Sequence, residues 1–144
     1  MTFDYKHATR KDLAEQFAVI AKQSGDDRFL TRRELKHLPE LLLDDEQVIS
    51  FASGIMDGNS WLIALTDMRI IFINKKFLWG MEFTSINLNQ INAITGRTGI
   101  VMGAIAIEDG ASTRTIKNVL KRCVNPFVQS ANQALFALRQ PRGA

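Results

Sequence analysis

The chain has 144 residues, of which 46% are hydrophobic and 23% are charged, with a formal net charge of +3. A chain of this size forms one domain whose core needs neither disulfides nor metal. Cys123 is the single cysteine, which excludes an intramolecular disulfide and a cysteine-based zinc site and is typical of a reducing compartment. The sequence lacks the pattern of a signal peptide and any apolar run of roughly 20 residues, so we expect a cytoplasmic protein.

The charge is unevenly distributed along the chain. Residues 1–46 carry 8 Lys/Arg against 10 Asp/Glu, whereas residues 47–144 carry 10 against 5. Proteins that bind nucleic acid usually show a stronger basic stripe than this. We therefore expect an ordinary solvated surface with some sidedness and no nucleic-acid partner.

A helix is predicted near the start of the chain. Thr9 is a suitable N-cap, and Ser24 followed by Gly25 is a suitable end. The apolar face between these positions is formed by Leu13, Phe17, Ile20 and Ala21.

A second, shorter helix follows. Thr31 and Glu34 have the spacing of a capping box, and Leu30 and Leu35 have the spacing of the hydrophobic staple around it. Pro39 disfavours a helical conformation in the residues just before it, so we expect the helix to stop there.

From Gln47 onward the hydrophobic period becomes extended. Two runs rich in Ile, Leu, Phe and Trp, separated by Asp67 and Met68, predict a hairpin with a well-buried face. Seven short strands are predicted in all: Val48–Gly54, Trp61–Thr66, Arg69–Asn74, Gly80–Ile86, Gln90–Thr95, Ile100–Ile107 and Ser112–Ile116, with turns at Met56–Ser60 and Gly96–Gly99. Their close, regular spacing indicates an antiparallel sheet that curls into a barrel or sandwich.

The last segment predicts a helix that closes this sheet. Asn125 is a good N-cap, and Pro126 would occupy the first helical position, where its missing N–H has no cost. The apolar face is formed by Phe127, Val128, Ala131, Leu135 and Leu138. The predicted fold is mainly β with helices (α+β): a seven-stranded antiparallel curled sheet, capped by a C-terminal helix and preceded by N-terminal helices.

Seven strands followed by one closing helix resemble the pleckstrin-homology (PH) topology, and the local pattern is similar to the bacterial PH-like domains of the YokE-like family. The resemblance rests on the segments Leu38–Glu40, Asp45–Val48, Leu65–Phe72, Gln90–Ile94 and Ile116–Val119. Its most specific part is the turn Thr66-Asp67-Met68-Arg69. The resemblance implies a non-enzymatic interaction domain without catalytic residues. It divides the chain into an N-terminal helical extension (1–30) and a PH-like domain (31–140).

Some PH domains bind phosphoinositides through Lys and Arg residues in the first hairpin loop. In this chain that loop, Met56–Ser60, contains one Asp and no basic residue. Because a phosphate site depends on cationic donors, we do not expect a head-group site at this loop.

The loop after the third strand combines basic and aromatic residues: Lys75, Lys76, Phe77 and Trp79. Such a loop could contact an anionic membrane surface, with the rings at headgroup level. In the alternative interpretation, Phe77 and Trp79 alternate inward at a strand edge while the two lysines remain solvated.

A basic patch is predicted between the last strand and the last helix. It comprises Arg97, Arg114, Lys117, Lys121 and Arg122. The patch lacks aromatic stacking positions at matching spacing, which favours a solvated rim over a nucleic-acid interface. Similarly, Asp67 and Arg69 either form a recognition tip or make local bonds at their turn, and turn chemistry favours the second interpretation.

The sequence contains no recognisable catalytic group. His7, His37 and Cys123 have neither a metal-ligand spacing nor an adjacent nucleophile and base. We therefore expect no enzyme activity, no cofactor and no metal. The leading hypothesis is a binding module that recognises another protein or a second copy of itself, through a sheet edge or the N-terminal helices. The alternative is peripheral binding to an anionic membrane.

Overall fold

The computed structural model describes residues 2–25, 33–74 and 82–139. Within these ranges, three α-helices and seven strands follow one another. They are α1 Arg10–Gln23, α2 Arg33–Leu41, β1 Val48–Met56, β2 Asn59–Thr66, β3 Arg69–Asn74, β4 Glu82–Asn87, β5 Ile91–Thr98, β6 Met102–Asp109, β7 Thr113–Leu120 and α3 Lys121–Arg139, with a 3-10 turn at Leu88–Gln90 between β4 and β5. The predicted number of strands and the closing helix are confirmed.

The strands form one antiparallel sheet in the order β4-β3-β2-β1-β7-β6-β5. The first and last strands, β1 and β7, meet at a single register pair, Ile55 with Lys117. Gly54 lies at this crossing, and a Cβ built there would come within 2.3 Å of the Lys117 carbonyl oxygen. A glycine is therefore required where the two parts of the curled sheet approach each other.

The hairpin β2–β3 lies at the centre of the core. Every residue from Trp61 to Thr66 and from Ile70 to Asn74 is buried, and the two strands pair in an unbroken register. Strands that are buried on both faces have nearly continuous apolar sequences, and this pattern is what predicted the hairpin. The preceding turn is shorter than predicted, because β1 and β2 extend to Met56 and Asn59 and leave Asp57 and Gly58 in the turn, both with positive φ.

The C-terminal helix begins earlier than predicted. It starts at Lys121, so Asn125 is not its N-cap and Pro126 lies inside it. The extra turn places Cys123 and Val124 in the core, where both are buried, and this burial favours helix before the proline. The predicted apolar face is confirmed up to Leu135, whereas Leu138 is exposed.

Two glycines form the surface on which α3 lies. Cβ atoms at Gly96 and Gly103 would fall 2.9 Å and 2.8 Å from the methyl groups of Val124. The prediction of a turn at Gly96–Gly99 was therefore wrong for its first three residues, which belong to β5 and pair with β6. Gly96 marks the close approach of the helix to the strand rather than a change in chain direction.

The N-terminal helices pack on the same core. Thr9 caps α1 as predicted, since its hydroxyl accepts the Asp12 N–H at 3.1 Å, and Ser24 is the C-cap. The ring of Phe17 meets that of Phe51 in β1 at 5.9 Å between centroids. The predicted capping box lies outside the described side chains, and the division of the chain at residue 30 stays a prediction.

Helix α2 continues past its proline. Pro39 lies inside the helix, which runs to Leu41, so the predicted stop before Pro39 was wrong. Leu38 and Leu42 are both buried. Because residues four apart lie on the same face of a helix, continuing the helix past Pro39 directs both leucines toward the core.

Candidate functional site

A buried ion pair lies beside the turn that the sequence singled out. Glu46, just before β1, is only 1% exposed. The Nε and Nη2 atoms of Arg69 donate to its two carboxylate oxygens at 3.0 and 3.1 Å, which is the bidentate geometry of strong charge-assisted pairs. The prediction that Arg69 pairs locally was wrong, because its partner lies 23 residues earlier in the chain.

The remaining acceptor positions of Glu46 are also used. The hydroxyl of Thr66 donates to one oxygen at 2.6 Å, and the backbone N–H of Leu43 donates to the other at 2.8 Å. Burial acts to raise the pKa of this carboxyl, but the hydrogen bonds from Arg69, Leu43 and Thr66 outweigh burial and hold the pKa below its ordinary value of 4.5. Glu46 is therefore ionised at neutral pH and serves as a structural anion.

The same turn fastens the N-terminus to the sheet. The Gln47 N–H donates to the carboxylate of Asp67, and the Asp67 N–H donates to the Gln47 carbonyl oxygen, both at 3.0 Å. The side-chain amide of Gln47 in turn binds both backbone groups of Phe3, at 2.9 and 2.8 Å. The bonds within the turn itself are made by Thr66 and not, as predicted, by Asp67. The motif thus holds loops together within the fold.

Strand β4 is an outer strand of the sheet. All six of its residues pair with β3 in an unbroken register, and no other strand lies beside it in the described part of the chain. It contains neither proline nor lysine, and its one charged residue, Glu82, is at its start. Phe83 is half exposed on this strand. Natural edge strands are usually protected by charges, prolines, bulges or covering elements, and β4 has few of these devices.

The other outer strand, β5, is better protected. Its pairing with β6 is interrupted by a bulge between Ile91 and Ala93, and it carries Arg97 near its end. Helix α3 also packs against it. Of the two outer strands in the described part of the chain, β4 is therefore the less protected one.

A second exposed feature is the tip of the β5–β6 hairpin, Gly99–Met102. The Gly99 N–H donates to the Met102 carbonyl oxygen at 2.8 Å and closes the tip. Ile100 is 94% exposed and Val101 is 66% exposed. The prediction that Ile100 and Val101 belong to the sixth strand was wrong, because the pairing with β7 begins only at Met102.

Two basic residues lie beside this tip. The N–H of Lys121, the first residue of α3, donates to the Val101 carbonyl oxygen at 3.1 Å. A cleft of about 490 Å³ lies beside the tip and the start of the helix. Its lining residues are Thr98, Val101, Leu120, Lys121, Arg122 and Asn125.

Another cleft, of about 630 Å³, lies beside the first hairpin turn. It is lined by Ile55–Gly58 from the end of β1 and its turn, and by Thr113–Thr115 and Lys117 from β7. The guanidinium of Arg114 sits over the ring of Phe72 at 5.3 Å, a cation–π contact across the curled sheet.

Four residues of the predicted basic patch line the two clefts. Arg114 and Lys117 line the cleft beside the first hairpin turn, whereas Lys121 and Arg122 line the cleft beside the β5–β6 tip. Arg97 is exposed on β5 and lines neither cleft. The predicted membrane loop of Lys75, Lys76, Phe77 and Trp79 lies outside the described residues.

The histidines and the cysteine are far from forming a common site. His7 pairs with Asp4 at 2.9 Å near the N-terminus, His37 lies 3.8 Å from Glu40 on α2, and Cys123 is buried in α3. Across residues 2–25, 33–74 and 82–139, no three His, Cys, Asp or Glu side chains are grouped so that they could hold a metal ion. No helix in these same ranges combines the length and the hydropathy needed to cross a bilayer.

Comparison with known proteins agrees with this architecture. The bacterial PH domain family matches residues 42–133, which is more than half of the chain. The chain belongs to this family. Proteins of the PH fold are generally non-enzymatic, and the segments that suggested the resemblance lie within or next to the matched region.

Two solved structures from Shewanella are similar to this PH domain. One is a DUF1696 family protein with a pleckstrin-homology domain from Shewanella loihica, with 15% identity over 73% of this chain and 92% of that chain, and a TM-score of 0.45. The other is a pleckstrin homology domain from Shewanella amazonensis, with 16% identity over 90% of this chain and 89% of that chain, and a TM-score of 0.44. No curated protein matches the chain.

Proposed function

We propose that this PH domain is a non-enzymatic module that binds a partner polypeptide by strand addition along the open edge of β4. The observation that carries the proposal is that β4 has few protective devices among the described residues: it pairs regularly with β3 over six residues, contains no proline or lysine, and carries the half-exposed Phe83. In strand addition, backbone hydrogen bonds supply affinity and alternate side chains supply specificity. Phe83 would be the apolar anchor of such a contact.

The partner is either another protein or a second copy of this chain. Two copies could pair β4 with β4 around a two-fold axis, because an antiparallel edge is complementary to itself. The N-terminal helices are weaker candidates, because the inner faces of α1 and α2 are already occupied by the core through Phe17, Ile20 and Leu38.

Photocrosslinking at position 83 tests this function and identifies the partner. Phe83 is replaced by benzoylphenylalanine in the full chain, the cells are irradiated, and adducts are identified by mass spectrometry. The matched control is the same replacement of Phe136, which is also exposed but lies on α3. We expect one defined adduct at position 83, either a second copy or one other protein, and none at position 136.

A second measurement separates the two partners. If the partner is a second copy, light scattering should show a mass that rises with concentration, and Phe83→Lys should abolish this rise while Phe136→Lys leaves it unchanged. A lack of any defined adduct at position 83, together with a constant monomer mass, would contradict the proposed function.

A further inference from the structure

We propose that the β5–β6 tip, Gly99–Met102, inserts into the interface of an anionic membrane while Lys121 and Arg122 contact the lipid headgroups. This contact is separate from the β4 edge and from the predicted loop at Lys75–Trp79. It uses residues that the sequence had assigned to a strand and to a general basic patch.

The first support is the exposure of three consecutive apolar side chains. Ile100, Val101 and Met102 are 94%, 66% and 44% exposed, and the tip is closed by the hydrogen bond between Gly99 and Met102. Scattered apolar residues are normal on a protein surface, but a run of three at a closed hairpin tip forms a continuous apolar projection. Moving such a projection from water to the boundary between headgroups and acyl chains of a bilayer lowers its free energy.

The second support is the charge around the tip. Residues 83–144 contain seven Lys/Arg against two acidic residues, Glu108 and Asp109. Both acids lie at the opposite end of β6 from Met102. A strand rises about 3.3 Å per residue, which places these carboxylates roughly 20 Å from the tip. This distance is more than twice the screening length of roughly 8 Å at physiological salt. Among residues 83–144, the charged side chains beside the tip are therefore the basic residues Lys121 and Arg122, which are complementary to an anionic lipid surface.

The shape of the tip favours a bilayer over a protein groove. A bilayer interface receives aliphatic side chains without requiring a complementary shape, and an anionic bilayer also attracts the basic residues beside the tip. The exposed residues Lys121 and Arg122 lie at the start of α3, and the N–H of Lys121 is bonded directly to the tip at Val101. This hydrogen bond keeps the start of α3 next to the apolar tip.

The experiment measures sedimentation of the full chain with vesicles of phosphatidylcholine containing phosphatidylglycerol, and with pure phosphatidylcholine as the neutral reference. We expect binding to the anionic vesicles alone, weakening as salt rises. Ile100→Ser/Val101→Ser should weaken binding roughly tenfold or more, through loss of apolar contact. Lys121→Ser/Arg122→Ser should weaken it roughly 25-fold, since one basic residue near an anionic surface contributes roughly a fivefold effect.

The matched control is Val19→Ser/Lys11→Ser, which removes one exposed apolar and one exposed basic residue from α1. It should bind as the unaltered protein does. Circular dichroism and thermal unfolding establish that each variant is folded. A dye attached at Ile100→Cys should also shift to shorter emission wavelengths on anionic vesicles, whereas the same dye at Val19→Cys should not.

Three results would overturn the proposal: no binding of the unaltered protein at low salt, unchanged binding of the folded tip variant, or loss of binding with Lys75→Glu/Lys76→Glu while the tip variant still binds. None of these results bears on the β4 edge, which is tested by adducts at position 83. The two proposals can therefore fail separately.

Discussion

Removing Arg69 should cost this domain a large part of its stability. In Arg69→Met the carboxylate of Glu46 keeps its bonds to Thr66 and Leu43 but loses its only bidentate cation among the described contacts. Breaking a buried ion pair by removing one partner typically costs about 3–5 kcal/mol. A domain of this class has about 5–15 kcal/mol of unfolding free energy in total, so the variant should be severely weakened.

The assay is urea unfolding at pH 7, followed by tryptophan fluorescence, with a thermal melt in parallel. For a domain of this size each kcal/mol shifts the melting temperature by roughly 3 °C, so we expect a fall of about 10–15 °C. The matched control is Arg97→Met, an exposed arginine on β5, which should change the free energy of unfolding by less than about 0.5 kcal/mol.

The double variant Glu46→Met/Arg69→Met distinguishes an ion pair from a simple packing role. Replacing both charges with apolar groups removes the unpaired carboxylate, so the double variant should be more stable than Arg69→Met alone. The reasoning is refuted if Arg69→Met costs less than about 1 kcal/mol, or if the two substitutions are additive.

Two further predictions follow from the same core. Because the pKa of Glu46 is lowered in the folded protein, this carboxyl takes up its proton at a higher pH in the unfolded chain than in the folded protein. The contribution of ionised Glu46 to the free energy of unfolding is therefore complete above pH 4.5 and is lost below it. The urea midpoint of unfolding should fall more steeply below pH 4.5 in the unaltered protein than in Glu46→Gln. Gly96→Ala should destabilise the fold by about 1–3 kcal/mol, because the new methyl group would lie 2.9 and 3.0 Å from Val124 and Val128. The control in the same urea titration is Gly110→Ala, whose methyl group would have no neighbour within 4 Å. Equal effects of the two substitutions would contradict the role of Gly96 as a contact for α3.

The sequence was most informative where burial and periodicity coincide. Strand β3 was predicted with its observed bounds, and β2 was predicted except for its first two residues, because strands buried on both faces leave uninterrupted apolar runs. Local signals misled at Pro39 and Pro126, where burial of Leu42 and of Val124 outweighs the preference of proline for a helix start or stop. Gly96 was misread for a related reason, since a glycine that admits a helix and a glycine that turns the chain look the same in a sequence.

The surfaces were harder to predict than the core. Which strands lie at the edges depends on the order of the whole sheet, so the exposure of β4 has no local signature. The tip at Ile100 and Val101 was hidden by its composition, because apolar residues before a strand are usually assigned to that strand. The signal that could have revealed it is the pair of glycines, Gly99 and Gly103, that bracket three apolar residues.

The row of rings at the start of the chain has a practical consequence. Phe3, Tyr5, Phe17 and Phe51 follow one another at centroid distances of 4.6, 5.8 and 5.9 Å, and three of these four rings precede residue 42, where the family match begins. A truncated version that keeps only residues 42–133 would expose one side of β1 to solvent and would lack the buried Leu135 of α3. We therefore expect the fragment 42–133 to be less stable than the full chain, although it includes every residue that the family match covers.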